Sequence, residues 1–202
     1  MRLRNQLNIN NIRVDEDNPL FVYLPCGVGG APGGINFGLK HVFGDAAHCF
    51  YAEPVAAPCM TLGLATGRHA GISVYDIGLT NKTIADGLAV PKPSSFVGKT
   101  VQGIVSGTFT VDDNDLYKHL YAASKYEKLK IEPSAAAGFD GPGFVLGTDV
   151  GRQYLRKAGL HRKIKSITHV LWTTGGRYLP DAEYKKCLSL GKAFADRRPQ
   201  KL

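Results

Sequence analysis

The sequence predicts an α/β fold in which a mostly parallel, twisted sheet has helices on both of its faces. Short apolar runs alternate along the chain with segments of helical spacing, and this order favours parallel strands joined by crossover helices. A glycine-dense turn separates the first apolar run from the first helical segment. Of the 202 residues, 44% are hydrophobic and 21% are charged, which is enough apolar material for the core of one globular domain.

Residues 1–18 form a polar segment that ends at Pro19. Such a segment has little apolar surface to offset the entropy that it loses on ordering, so we expect it to be loosely ordered or a helical remnant. We expect the α/β domain to cover residues 19–202.

In the first half of this domain, strand and helix patterns alternate. We predict strands at residues 20–24 and 48–52, and helices at 33–43 and 59–65. Residues 66–93 are interrupted by glycine and proline and have little periodicity. We expect them to be irregular and to line a site, as long irregular segments of α/β domains often do.

The second half continues the alternation with weaker patterns. Strands are predicted at residues 109–111, 130–133 and 167–172, and helices at 95–105, 114–128 and 180–195. Ser94 or Ser95 can cap the first of these helices. Apolar residues at every third or fourth position give the second helix a stripe that can face the core.

The turn over residues 26–35 is rich in glycine and lies between a strand and a helix. Its glycines are Gly27, Gly29, Gly30, Gly33 and Gly34. Glycine lets the backbone adopt positive φ and approach an anion closely, and the start of a helix offers unpaired N–H groups. The spacing matches neither the nucleoside-triphosphate loop nor the dinucleotide fingerprint. The turn therefore predicts a phosphate cradle, with a plain tight strand-to-helix turn as the alternative.

Three stretches of the sequence carry a family resemblance. They are PLFVYLPCGVGGAPGGINFGLKHVFGDAAHCFYAEPVAAPCMTLG with ISVYDIGLTNKTIADGLAV (residues 19–90), KIEPSAAAGFDGP (residues 130–142) and THVLWTTGGRYLP (residues 168–180). In this order they resemble the carboxyl-terminal half of the D-serine dehydratase family. The resemblance implies the type II fold of enzymes that use pyridoxal 5'-phosphate (PLP), of which this chain would form the larger part of the large domain. It also implies the conversion of D-serine to pyruvate and ammonia.

The resemblance assigns residues to the cofactor. It implies that backbone N–H groups of Gly27, Val28, Gly29, Gly30 and Ala31 hold the PLP phosphate, although family loops commonly have glycine where Ala31 stands.

The resemblance also implies that the hydroxyl of Thr174 meets the ring nitrogen of PLP. From the residues themselves, Thr174 follows an apolar run and is expected at the carboxyl end of a strand, where α/β sheets bind ligands. Its alternative role is to end that strand and cap the turn.

A cation site is a further implication. In type II relatives the turn that matches Glu53 to Cys59 holds a cation near the cofactor pocket. Glu53 would supply a carboxylate oxygen and Ala57 a carbonyl oxygen to K⁺ or Na⁺, while Cys59 would be an unusual ligand. The alternative is a salt-bridged Glu53 with no ion.

No lysine of this chain lies in a Ser-x-Lys motif, where relatives carry the lysine that forms the Schiff base with PLP. The chain therefore has no assigned catalytic residue. We expect it to be the carboxyl-terminal part of a longer enzyme, inactive alone and in need of the amino-terminal half. The alternatives are a non-catalytic PLP- or phosphate-binding remnant, or one half of a two-chain enzyme.

Composition argues against several other functions. The net charge of +8 is scattered and gathered at the chain ends, without the aromatic-interleaved stripe of nucleic-acid binders. No apolar run has the length of a membrane span, and the amino terminus does not look like a signal peptide. The four cysteines lack C-x-x-C spacing and are expected to be reduced, in a cytoplasmic protein. We expect neither nucleic acid nor membrane as a partner.

Overall fold

Four parallel strands form the centre of the structure, a computed structural model that describes residues 2–176 and 179–196. The strands are β1 (Leu20–Pro25), β2 (Ala47–Pro54), β3 (Gly107–Val111) and β4 (Thr168–Leu171). They lie in the order β3-β2-β1-β4, and each neighbouring pair is parallel. The parallel sheet predicted from the sequence is thereby confirmed.

Eight α-helices accompany the strands in the described part of the chain. They are α1 (Arg2–Ile9), α2 (Gly30–Phe43), α3 (Cys59–Thr66), α4 (Ser95–Val101), α5 (Asp113–Glu127), α6 (Gly141–Gly147), α7 (Asp149–Lys157) and α8 (Asp181–Ala195). None of the described helices combines the length and the apolar character that a membrane crossing requires.

The two central strands, β1 and β2, are buried on both faces. Alternate side chains of a strand point to opposite faces, so Phe21 and Tyr23 of β1 join one core while Leu20, Val22 and Leu24 join the other. The first core is completed by buried residues of α5, α6 and α7, and the second by residues of α1 to α4. Helices therefore cover both faces, as predicted.

Side-chain caps set the starts of several helices. The Ser94 hydroxyl accepts a hydrogen bond from the backbone N–H of Val97 at the start of α4, and the Asp112 carboxylate accepts one from Asn114 at the start of α5. Helix α4 ends at Val101, four residues before the end predicted from the sequence. The polar amino-terminal segment contains α1, whose Leu7 is buried in the second core.

The prediction of a strand at residues 130–133 is wrong. Pro133 begins a 3-10 helix that runs to Asp140, and this helix contains three consecutive buried alanines at residues 135–137. A Cβ at Gly138 would lie 2.8 Å from the carbonyl oxygen of Tyr23, so this helix packs directly on the backbone of β1. The small side chains serve close packing against the sheet and do not form another strand.

A matched pair of glycine substitutions in α6 tests this packing. A Cβ at Gly141 would collide with the buried ring of Tyr23, whereas one at Gly143 would meet no atom within 4 Å. We expect Gly141→Ala to lower the free energy of unfolding by about 1–3 kcal/mol through overpacking. Gly143→Ala should raise it by up to about 1 kcal/mol, because alanine is the better helix former. Urea denaturation followed by circular dichroism measures both, and equal effects would contradict the packing.

Candidate functional site

The carboxyl ends of the parallel strands share one edge, and the chain changes direction there. From β1 the chain moves to β2 and then β3, whereas β4 lies on the other side of β1. The crevice between β1 and β4 is thus a topological switch point, the place where open α/β sheets bind ligands. The glycine turn follows β1 at this edge, and the Thr174 turn follows β4.

Five consecutive backbone N–H groups in the glycine turn have no acceptor within the part of the chain that the structure describes. They belong to residues 27–31, and the first bonded amide after them is that of Gly33, which donates to Gly29. Gly29 has φ of 104° and precedes the first residue of α2. Unpaired donors at a helix start, with the partial positive charge of the helix dipole, suit an anion.

Close packing explains why glycine occupies two of these positions. A Cβ at Gly29 would collide with the Met60 side chain, and the positive φ is itself unfavourable for other residues. A Cβ at Gly27 would lie 3.3 Å from the carbonyl oxygen of Gly87, in the turn at residues 86–88. Gly30, by contrast, has no atom within 4 Å of its Cβ position. The turn is therefore packed closely at Gly27 and Gly29, whereas Gly30 and Ala31 are exposed to solvent.

The carbonyl groups of the turn point into the protein. The thiols of Cys26 and Cys59 both donate to the carbonyl oxygen of Gly27, at 3.4 and 3.5 Å. The carbonyl oxygen of Val28 accepts a hydrogen bond of 2.9 Å from the N–H of Ser94. These contacts fix the orientation of the peptide groups and leave the N–H groups free. The sequence predicted only that both cysteines are reduced and gave no sign of this role.

Thr174 lies beyond β4, beside the end of β1. The N–H of Trp172 donates to the Tyr23 carbonyl at 3.1 Å, which extends the pairing of the two strands as far as the Thr174 turn. Thr174 is half-buried, and its hydroxyl makes no hydrogen bond to any described residue. The structure thus brings the glycine turn and Thr174 to the ends of two neighbouring strands, which lie about 5 Å apart in such sheets.

Glu132 is an acidic neighbour of this turn that sequence reasoning did not single out. Its Oε1 atom is 2.6 Å from the position that a Cβ of Gly175 would take. Burial, followed by the negative charge of Asp86, raises the pKa of the Glu132 carboxyl. Ser134, two residues on, is buried, and its hydroxyl has no hydrogen-bond partner in the described chain. The sequence feature that could have pointed to Glu132 and Ser134 is the stretch KIEPSAAAGFDGP, which carries the family resemblance and contains both residues.

Glu53 is fully buried and caps α3. Its two carboxylate oxygens accept hydrogen bonds from the backbone N–H groups of Met60 (2.7 Å) and Thr61 (2.8 Å). Burial raises the pKa of this carboxyl to about 7, although the hydrogen bonds from Thr61 and Met60 oppose the shift. No basic side chain pairs with Glu53 in the described chain, so the salt-bridge alternative is wrong.

Ala57 lies in the same turn as Glu53. Its carbonyl oxygen accepts a hydrogen bond of 3.0 Å from the N–H of Cys59. Within residues 2–176 and 179–196, no three histidine, cysteine or acidic side chains cluster as ligands for a metal ion. A cation at this turn would therefore depend on Glu53 and on backbone oxygens.

Comparison with known proteins finds relatives that match nearly the whole chain. The chain is 54% identical over 192 residues to a probable D-serine dehydratase of Desulfitobacterium hafniense, a match that covers 95% of this chain and 43% of the relative. It is 49% identical over 205 residues to one of Geobacillus stearothermophilus, covering 98% of this chain and 45% of the relative. The resemblance found in the sequence is confirmed, and the chain spans less than half the length of these relatives.

Solved structures share the fold at low identity. Diaminopropionate ammonia lyase from Escherichia coli, in complex with D-serine, superimposes with a TM-score of 0.67 at 19% identity. This superposition covers 94% of the present chain and 46% of the lyase.

A family match completes the comparison. Residues 6–149, which include the glycine turn and the Glu53 turn, match the family described as pyridoxal-phosphate dependent enzymes. The unpaired N–H groups and the open side of Gly30 fit the phosphate group of such a cofactor. The chain therefore belongs to the family of pyridoxal-phosphate dependent enzymes.

Proposed function

We propose that this chain is the carboxyl-terminal, cofactor-holding portion of a D-serine dehydratase, which converts D-serine to pyruvate and ammonia. One observation carries the proposal: five consecutive unpaired N–H groups lie at a helix start, at the switch point of the sheet. The identities of 54% and 49% to probable D-serine dehydratases support the choice of substrate. Elimination of the Cα proton and the β-hydroxyl releases one water and gives aminoacrylate. Hydrolysis of aminoacrylate consumes one water and gives pyruvate and ammonia.

The first task of the chain is to bind the PLP phosphate. The N–H groups of Gly27, Val28, Gly29, Gly30 and Ala31 would donate to its oxygens, aided by the dipole of α2. The methyl group of Ala31 does not prevent this, because that residue is exposed and its N–H is free. A phosphate held here orients the rest of the cofactor along the carboxyl edge of the sheet.

The second task is to contact the ring. The Thr174 hydroxyl is a neutral partner for the ring nitrogen, so that nitrogen would stay largely unprotonated. When bound, PLP supplies withdrawal of electrons from Cα of the substrate, and a neutral partner makes this withdrawal moderate. Moderate withdrawal suits β-elimination and disfavours side reactions such as transamination.

The lysine that forms the Schiff base would come from the part of the relatives that this chain does not span. The chain covers 43% and 45% of the two relatives described above, which supports this division of residues. The isolated chain would then be inactive until it is joined or bound to an amino-terminal half.

A monovalent cation, K⁺ or Na⁺, is part of the proposal. Glu53 and the Ala57 carbonyl would supply hard oxygen ligands. The Oε1 atom of Glu53 and the carbonyl oxygen of Ala57 each accept one backbone hydrogen bond, whereas Oε2 of Glu53 already accepts two hydrogen bonds from Thr61. The charge of the ion would offset the cost of a buried carboxylate.

We also propose a cytoplasmic location, supported by four buried cysteines that form no disulfide.

Substitution at the open glycine tests phosphate binding. We expect isothermal titration to show tighter binding of PLP than of inorganic phosphate. Gly30→Asp should weaken both by about tenfold, because a carboxylate beside the anion repels it. The Asp side chain has space at this position and suits a helix start.

Gly38→Asp is the matched control for this substitution. It places the same charge on α2 about 12 Å away, where salt screens it, and should change either affinity less than twofold. Equal binding by all three proteins would contradict the proposal. A second result would also contradict it: borohydride links PLP covalently to a lysine of the isolated chain, and the isolated chain releases pyruvate from D-serine.

Thr174→Ala tests the ring contact separately. Loss of one hydrogen bond to the ring should weaken PLP binding by about two- to tenfold and leave inorganic phosphate binding unchanged. Thr173→Ala, at the exposed neighbouring residue, is the control and should behave as the unmodified chain. Parallel titrations with PLP and phosphate give the measurement. A loss of PLP affinity in the Thr173 variant, with none in the Thr174 variant, would place the ring elsewhere.

The pH dependence of the free energy of unfolding tests the role of Glu53 in the cation site. The pKa of the Glu53 carboxyl is raised from 4.5 to about 7, so its contribution to stability is complete below pH 4.5 and is lost as pH rises through 7. In tetramethylammonium buffers the free energy of unfolding should fall by about 3 kcal/mol over this interval relative to Glu53→Gln. K⁺ should reduce this decline because it binds the ionised carboxylate.

Glu127→Gln, at an exposed carboxyl, is the control and should keep the decline of the unmodified chain. Urea denaturation at each pH provides the free energies. A decline that persists in Glu53→Gln would exclude Glu53 as its source, and a decline unaffected by K⁺ or Na⁺ would argue against the ion.

A further inference from the structure

The outer face of α2 is unusual for a helix exposed to water. Its exposed or half-buried positions include Gly30, Ala31, Gly34, Phe37 and Gly38, and no charged side chain is exposed before the last turn. Helices α5 and α7 of the same chain instead present aspartate, lysine and arginine to solvent. A helix face without charges is typical of one that another part of a protein covers.

The described residues make no contact that requires the glycines on this face. Gly30, Gly34 and Gly38 are four residues apart and so lie on one side of the helix. A Cβ at any of them would meet no atom within 4 Å. Each glycine costs roughly 0.5–1 kcal/mol of helix stability relative to alanine. Gly30 belongs to the proposed phosphate site, but no described contact requires glycine at positions 34 and 38. Close approach by another backbone is the reason that remains for those two glycines.

Two exposed aromatic side chains lie on either side of a groove next to these glycines. Phe37 of α2 is 60% exposed and Phe96 of α4 is 80% exposed. The groove between the helices has a volume of about 480 Å³, and we call it the α2–α4 groove. Its lining is formed mainly by Gly30, Gly34, Phe37, Phe96, Val97 and Thr100. Two exposed aromatic rings in one apolar groove are typical anchors of an interface.

We propose that the α2–α4 groove is the docking surface for the amino-terminal portion of the longer polypeptide, through a segment with small and apolar side chains. This inference rests on the proposed function. More than half of each relative's length lies outside the match, since the chain covers 43% and 45% of them, so a large partner segment exists in relatives. Gly30 belongs both to this groove and to the row of free N–H groups.

Because Gly30 belongs to both the groove and the proposed phosphate site, docking would also bear on the reaction. A segment seated on the α2–α4 groove lies beside the proposed phosphate site. Residues that the present chain lacks, including the lysine, are then brought to the cofactor. A second copy of this chain would cover the same apolar area but would add no such lysine.

Cysteine labelling tests the docking surface directly. The native cysteines are all buried, so an added cysteine is the main reactive thiol. Phe96→Cys should react rapidly with a maleimide in the isolated chain. It should react at least tenfold more slowly when the amino-terminal portion of the Desulfitobacterium hafniense relative is fused in front of the chain. Val150→Cys, on α7 at a position that is 65% exposed, is the control and should react equally in both proteins.

A second arm covers the case in which the fused protein fails to fold. The chain is co-expressed with the separate amino-terminal portion, and copurification is measured. Phe37→Glu combined with Phe96→Glu should reduce the recovered complex at least tenfold, while Val150→Glu should leave it unchanged. Absence of any complex, or equal recovery with both variants, would overturn the inference.

Two further outcomes separate the hypotheses. If the fused protein releases pyruvate from D-serine while Phe96→Cys stays fully reactive, the docking inference fails and the proposed function stands. If the isolated chain self-associates in analytical ultracentrifugation, and Phe37→Glu with Phe96→Glu abolishes this, the groove is an interface between copies and the inference is wrong.

Discussion

The orientation of the peptide groups after β1 is the constraint on which the candidate site depends. Two thiols and the N–H of Ser94 hold the carbonyl groups of Gly27 and Val28 inward, so the neighbouring N–H groups remain free. Buried or helix-start donors without acceptors are costly, and an anion relieves that cost. The packing of α3 and α4 against the turn thereby becomes part of ligand binding, because those helices supply Cys59 and the Ser94 cap.

The strand order of the sheet determines which other turns lie beside the glycine turn. Strand order places β1 between β2 and β4, so the glycine turn has the Glu53 turn on one side and the Thr174 turn on the other. Three turns that are distant in sequence thus meet at one edge, each offering a different group: backbone donors, a buried carboxylate and a hydroxyl. Under the proposed function, this convergence would let a chain of modest size hold the cofactor while residues of the amino-terminal portion supply the chemistry at Cα.

Much of this arrangement could be predicted from the sequence, and the remainder has a physical explanation. The glycine turn and the alternation of strands and helices are local patterns, and both were found. Helix α6 was missed because the glycines and proline of GPGFVLG are poor helix formers. Helix α7 was missed although the Thr148 hydroxyl caps its start. Residues 130–133 were assigned to a strand because Ile131 is apolar, whereas Pro133 begins a 3-10 helix. The roles of Cys59 and Glu132 arise from contacts between distant segments, which no local pattern contains.

The most direct test of the account is nuclear magnetic resonance of the isotopically labelled chain during titration with PLP. The account predicts that the largest amide shifts fall on residues 27–31, with a second group at Thr174 and Gly175. Protection of those amides from hydrogen exchange should increase as PLP binds, because the free donors gain acceptors. Shifts confined to the basic residues near α7, or an unchanged glycine turn at saturating PLP, would contradict the central claim that these amides bind the phosphate.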